Sequence, residues 1–261
     1  MNCKVMGIVN VTPDSFSDGG QYFKPEEAVR RARNLVADGA DIIDLGGEST
    51  RPGATPLPWS DEWARLEPVL RGLSPETLGT VPRNQRGQSP VLISVDTYHP
   101  ETAERAIAAG VQIINCVSPG TVPAMMEICA QKDVELVIPC RLTGPVPGEI
   151  GGPVPLERLY LDPMIGFGTT RDEDLELLRS VPELAKRGRV LIGASRKRIV
   201  RKLVCDPDSS ESRKMGNAVG KLLGGSVGIA VWCAMNGASV VRVHDVKETV
   251  QALKVVAALN G

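Results

Sequence analysis

Histidine is nearly absent from this 261-residue chain, which has only His99 and His244. Its six cysteines, Cys3, Cys116, Cys129, Cys140, Cys205 and Cys233, contain no CxxC pair. The two shortages together argue against a zinc cluster. The spacing and chain length do not suit a disulfide framework, so free buried thiols are the default. Neither sign of charge is in excess, with 30 Lys and Arg against 31 Asp and Glu for a net charge of −1. A nucleic-acid protein usually shows a basic excess or a basic run, so that class is disfavoured. There is no apolar run of about 18 residues to suggest a membrane span. The first residues also lack the charged-then-apolar form of a secretory leader, so the expected location is the cytosol. No linker, shift in composition or low-complexity tract interrupts residues 1–261, which read as one domain. With 42% hydrophobic and 23% charged residues, the chain is ordinary for a soluble protein able to bury a full core.

What the chain does have is alternation. A short apolar run, a polar loop and an amphipathic helix follow one another repeatedly. "VMGIVNV" precedes "KPEEAVRRARNLVADGA", where Ala28, Ala32, Leu35 and Val36 fall at helical spacing before a stop at Gly39. "DIIDLGG" precedes a helix near 60–73, "VLISVD" precedes "PETAERAIAAG", and "VQIINC" precedes "PAMMEICAQKD". "LERLYLD" leads to "DEDLELLRSVPELAKRG", "VLIGAS" to a helical region around 213–236, and "SVVRVHD" to a terminal helix. Only "VELVIPC" lacks a clear helix after it. Such alternation with short links implies parallel strands joined by right-handed crossovers. Eight units most economically close into a (β/α)8 TIM barrel, here with the fifth helix missing or shortened. The open doubly wound alternative lacks a GxGxxG after its first strand. Residues 74–90 read as a long loop on the stability face of the barrel.

In a barrel, the active site sits where the strands end at their C-termini. Here those ends carry Asn10, Asp44 with Glu48, Asp96, Asn115, Asp162, Ser195 with Lys197, and Arg242 with His244. Asp96, Asn115 and Asp162 offer acceptors suited to a flat heterocycle that presents N–H donors. Lys197, Arg242 and His244 follow the last two strands, where barrels often hold phosphate, and Arg grips phosphate oxygens in bidentate fashion. Asn10 and the aspartates after it suit Mg²⁺ bound through oxygen or water. Each piece also has a plainer reading. Asp96, Asp162 and the His244–Asp245 pair could cap the helices that follow, and Lys197 with Arg198 could be a solvated charge pair. Met125, Met126 and the helical apolar stripes read as core.

"GIVNVTPDSFSDGG", "GADIIDLGGESTRPGA", "SVDT", "LDPMIGFG", "SRK" and "RVHDV" resemble, in order, the motifs of the dihydropteroate synthase family of folate synthesis. The resemblance spans residues 7 to 246 and implies a (β/α)8 barrel, in agreement with the alternation. It implies that 6-hydroxymethyl-7,8-dihydropterin pyrophosphate is joined to p-aminobenzoate with release of pyrophosphate. By motif position, Asp96, Asn115, Asp162 and Lys197 would hold the pterin. Arg242 and His244 would bind pyrophosphate, and Asn10 would bind pyrophosphate and contact Mg²⁺. Thr50, Arg51, Pro52, Phe167, Ser195 and Arg198 would shape the p-aminobenzoate site. Asp96, Lys197, Arg242 and His244 would be the catalytic set.

The resemblance also implies a mobile lid at residues 11–20 and a homodimer. The apolar helix around Trp232 and Cys233 reads either as an interface or, as apolar helical residues more often do, as core. Three positions depart from the family's pattern. Asn115-Cys116 stands where Asn-Asp is usual, Met164 replaces a glycine, and the fifth strand ends without a Met-His motif. Two other readings share the fold: a methyltetrahydrofolate-binding corrinoid methyltransferase and a non-catalytic pterin-binding homologue.

Overall fold

A computed structural model describes residues 3–12, 24–49, 55–73, 91–141, 144, 152–204 and 222–261. Eight parallel strands form a closed barrel in sequence order. They are β1 (Lys4–Asn10), β2 (Ile42–Gly46), β3 (Leu92–Asp96), β4 (Ile113–Asn115), β5 (Glu135–Pro139), β6 (Leu159–Asp162), β7 (Arg189–Ile192) and β8 (Val240–Val243). Closure comes from β1 pairing with β8, Met6 opposite Arg242.

Consecutive side chains on a strand point to opposite faces, and the core divides accordingly. Met6, Ile42, Ile113, Val137, Tyr160, Leu191 and Val240 form one buried cluster that fills the barrel interior. Their neighbours Val5, Ile43, Ile114, Leu136, Leu161, Val190 and Val241 belong to a separate cluster between barrel and helices. A strand buried on both sides needs apolar residues at every position, which is why these segments read as unbroken runs. Below the inner cluster, Arg189 Nη1 meets Glu135 Oε1 at 2.6 Å. Its guanidinium lies 3.9 Å from the Tyr160 ring centre, and the Tyr160 hydroxyl donates to Glu135 Oε2 at 3.1 Å. These three side chains plug the N-terminal end.

The outer helices follow the predicted stripes. In Pro25–Ala37, Ala28, Ala32 and Leu35 face inward. Gly7 permits that approach, since a Cβ there would meet Leu35 and Val246 at 3.0 Å. The region after β6 is two helices, Arg171–Arg179 and Val181–Ala185, joined at Ser180. Pro182 has no N–H for a continuous helix and sits in the first turn of the second. A capping box of Thr170 and Glu173 starts the first. Other helices are Trp59–Gly72, Pro100–Ala108, Val122–Lys132, Arg198–Val204, Leu223–Met235 and Val246–Leu259.

Between β5 and β6 the described residues hold only a 3₁₀ turn, Leu156–Arg158. Val154 is fully buried and joins the outer cluster, with Leu156 packed against it, so a connecting segment covers part of the surface a fifth helix would cover. The five cysteines among the described residues, Cys3, Cys116, Cys129, Cys140 and Cys233, are buried, as expected. Cys205, the loop at 74–90 and most of the segment at 11–20 lie outside the described residues. No helix among the described residues is long and apolar enough to cross a membrane.

Candidate active site

The period of two that builds the inner cluster also builds the site. Two residues beyond Ile42, Ile113, Tyr160 and Val240, on the same face, stand Asp44, Asn115, Asp162 and Arg242. Strand register then links Asn10 to Gly46, Gly46 to Asp96 and Asp96 to Asn115. The result is a polar ring resting directly on the apolar interior.

Arg242 joins the ring. Its Nε donates to Asp44 Oδ2 at 2.6 Å and its Nη2 to Asp96 Oδ2 at 2.7 Å. Asn115 Nδ2 also donates to Asp44 Oδ2, at 3.2 Å. Asp44 Oδ1, Asp96 Oδ1 and Asn115 Oδ1 are buried acceptors without a hydrogen-bond partner among the described residues. Such groups are costly to leave unsatisfied, and those of Asp96 and Asn115, in the layer above Asp44, mark a place for a ligand rich in N–H donors. Burial pushes the Asp96 carboxyl up to about 7, against the pull of the Arg242 charge. Burial also opposes the charge on Arg242, but Asp44 and Asp96 more than offset it.

Lys197 stands beside the ring. Its Nζ donates to the Ile165 carbonyl at 2.6 Å and lies 4.4 Å from the Phe167 ring centre. Burial lowers its pKa to about 8, partly countered by Asp162. Burial raises the Asp162 carboxyl, with Lys197 opposing. The turn carrying Ile165 is held by Asp174, which is fully buried and accepts from Gly166 N at 2.7 Å and from Thr169 Oγ1. Arg198 Nε approaches the same carboxylate at 3.2 Å. Neither Asp96 nor Asp162 caps a helix, since His99 and Thr170 occupy those positions.

His244 Nδ1 lies 3.1 Å from Ser195 Oγ, and burial, reinforced by Arg196 and Arg242, lowers its pKa to about 3. The imidazole is neutral at physiological pH. Asp245 gives no side-chain cap to the last helix; its carboxylate pairs with Arg196 instead, Nη2 to Oδ1 at 2.5 Å and Nε to Oδ2 at 3.1 Å. A cavity of about 340 Å³ is lined by Val117, Pro139, Cys140, Arg141, Met164 and Phe167.

The structure therefore brings Asp96, Asn115, Asp162, Lys197, Arg242, His244, Ser195, Phe167 and Arg198 to the barrel's C-terminal end, with half-buried Asn10 ending β1. Thr50, Arg51 and Pro52 lie outside the described residues. Arg242 is held inside the ring by two carboxylates, a contact that strand position alone does not disclose. Asp44 and Asp174 carry contacts that the motifs leave unassigned. For Asp44 the signal was its place two residues after Ile42. A further cluster joins Glu48 to Tyr98 Oη at 2.6 Å, His99 Nε2 at 3.3 Å and Leu57 N at 3.2 Å. Cys116 sits in the outer cluster, its thiol donating to the Ser118 carbonyl.

A family described as pterin binding enzyme matches residues 6–141 and 151–244. The dihydropteroate synthase of Mycobacterium leprae (strain TN) is 34% identical over 98% of this chain and 93% of that protein. The chain belongs to the dihydropteroate synthase family. The family's solved members include the enzyme of Xanthomonas albilineans with 4-aminobenzoic acid, at 34% identity, with TM-score 0.80 and coverage of 100% and 94%. The Anaplasma phagocytophilum enzyme with bound 6-hydroxymethylpterin-monophosphate is 29% identical, with TM-score 0.79 and coverage of 99% and 100%.

Proposed function

We propose that this chain is a dihydropteroate synthase, a transferase of folate biosynthesis. It would join 6-hydroxymethyl-7,8-dihydropterin pyrophosphate to p-aminobenzoate and release pyrophosphate. The observation that carries this reading is the ring of unsatisfied acceptors, Asp96 and Asn115, set against Arg242. A pterin's ring N–H donors would satisfy those acceptors. Asp162 and Lys197 would complete the grip on the pterin.

The reaction is an ionisation followed by capture. The C–O bond to pyrophosphate breaks and its electron pair leaves with the pyrophosphate. Arg242, with Asn10 and the neutral imidazole of His244, would receive the developing charge, a role of the kind that preorganised donors perform in transition states. The methylene cation so formed would be stabilised by the pterin ring and the nearby carboxylates. The amine of p-aminobenzoate then donates its lone pair to form the C–N bond and loses a proton. Ser195, Phe167 and Arg198 would shape its site, together with Thr50, Arg51 and Pro52. No covalent enzyme intermediate is required. The buried thiols are poor nucleophiles, since burial pushes Cys129 and Cys233 up to about 12.

Mg²⁺ would serve as a charge-neutralising partner of pyrophosphate. Among the described residues no group of three His, Cys, Asp or Glu could hold a metal. Asn10 offers one neutral oxygen, which fits an ion that arrives on the substrate's phosphates and keeps its waters. The protein would act in the cytoplasm as a homodimer. The outer faces of Trp232 and Met235 on Leu223–Met235 are exposed and apolar, and sedimentation would test that assembly.

Turnover with pterin pyrophosphate and p-aminobenzoate tests the function. Formation of dihydropteroate supports it. Pterin binding without turnover would favour a binding-only homologue, and methyl transfer from methyltetrahydrofolate would favour the corrinoid reading.

A further inference from the structure

Asp44 lies at the base of the ring and is fully buried, whereas the Arg242 side chain is 17% exposed and that of Asp96 10%. A ligand in the ring therefore reaches Arg242 and Asp96 but not Asp44. Yet one oxygen of Asp44 receives both Arg242 Nε and Asn115 Nδ2. The two contacts have different consequences. A carboxylate is an acceptor only, so Asn115 must turn its NH2 group toward Asp44. Its carbonyl oxygen is thereby left facing away, without a partner among the described residues. The bond to Nε fixes one edge of the Arg242 guanidinium. Nη2, next to Nε on the same side of the group, meets Asp96, so the two carboxylates together hold that side and leave Nη1 turned away from them.

We propose that Asp44 is a positioning residue for this reaction, acting through two neighbours, Asn115 and Arg242, that the functional reading places against the ligand. Through Asn115 it makes the ring present an acceptor, which selects a heterocycle with an N–H at that place. Through Arg242 it anchors, with Asp96, the Nε and Nη2 side of the guanidinium, so that Nη1 is left to meet the leaving group. The inference rests on the functional reading above and adds a residue the motifs leave without a role.

The test is a pair of double-mutant cycles, which separate action through a neighbour from general loss of structure. Asp44→Asn should lower kcat by about tenfold or more, as loss of a charge-stabilising contact does. In an Arg242→Gln background, whose amide keeps a donor for the buried carboxylates, the same change should alter kcat by less than about twofold. Affinity for bare 6-hydroxymethylpterin is the second readout. There Asp44→Asn should weaken binding in the parent chain and not in an Asn115→Ala background.

Asp44→Asn combined with Asn115→Asp exchanges donor and acceptor between the two positions and guards against misfolding of the single variant. That exchange should keep pterin affinity within about threefold, since an acceptor again faces the ligand, while kcat stays low because Arg242 has lost its anchor. Losses that simply add in both cycles, or an exchanged variant with normal turnover, would overturn the proposal. A parent chain that binds pterin without turnover overturns the functional reading alone, and the Asn115 cycle then decides the role of Asp44. A parent chain that binds no pterin overturns both.

Discussion

The Asp162 carboxylate accepts the N–H of Met164 at 2.7 Å, and Met164 holds a left-handed backbone at φ +61°. A side chain in that region costs about 1–2 kcal/mol, and Met164 is both large and buried. The bond orients a ring carboxylate, so the strain falls where the site needs a fixed acceptor.

Comparison of Met164→Gly with Met164→Ala isolates that strain, because both remove the thioether. Glycine normally costs about 0.5–1 kcal/mol relative to alanine in regular structure. At this position the order should reverse, with the glycine variant the more stable in urea unfolding. An alanine variant at least as stable would show that the backbone is not strained.

Asp96→Asn should weaken bare-pterin binding by about 1.5–3 kcal/mol, the range for a hydrogen bond to a charged group. The amide oxygen can still accept from Arg242 Nη2, so unfolding should change far less than affinity. Calorimetric titration beside a melting curve separates the two.

Pterin affinity should also depend on pH, with a sign set by two ring groups. Asp96, raised to about 7, is protonated below that value and gives up its capacity to accept a second N–H. Lys197, lowered to about 8, loses its charge above it. Affinity should rise through about pH 7 and fall beyond about pH 8, and Asp96→Asn should abolish the rising limb only. A profile flat across both values would contradict these assignments.

Asp174→Ala removes the acceptor of Thr169 Oγ1 and the shorter of the two bonds from Gly166 N, which keeps only its 3.2 Å contact with Thr169 Oγ1. An unsatisfied buried donor costs about 1–3 kcal/mol, and the melting temperature should fall accordingly. The turn from Met164 to Thr169 also carries the carbonyl that receives Lys197, so pterin affinity should fall with it. Unchanged affinity in a destabilised variant would show that Lys197 keeps its place without this turn.

The barrel was legible because both of its periodicities are written in the chain. Ile42 and Ile43 enter different clusters, as do Ile113 and Ile114, and short β-branched runs like these suit strands covered on both sides. The ring was legible as a set of strand-end polar residues, because what precedes each one fixes its face. Its wiring was not legible. Nothing local to Arg242 announces that its partners lie 198 and 146 residues away. Ser195, Arg196 and Lys197 are consecutive yet separate, toward His244, Asp245 and the Ile165 carbonyl respectively. A single backbone turn decides that, with Arg196 at φ +59°. The break at Ser180 could be read from Pro182, whereas the role of Val154 depended on the tertiary arrangement.

The plug of Glu135, Tyr160 and Arg189 makes the barrel a vessel with one opening. Whatever seats on the Asp44–Asp96–Asn115 ring, just above the inner cluster, must enter and leave by the C-terminal mouth. Anything bound nearer that mouth stands in its way. For two substrates stacked in such a vessel, the deeper one must arrive first. The fragment derived from it can depart only after the shallower position has emptied, or together with its occupant. The sequence of binding steps would thus be imposed by the architecture itself, without any need for the two ligands to alter one another's affinity.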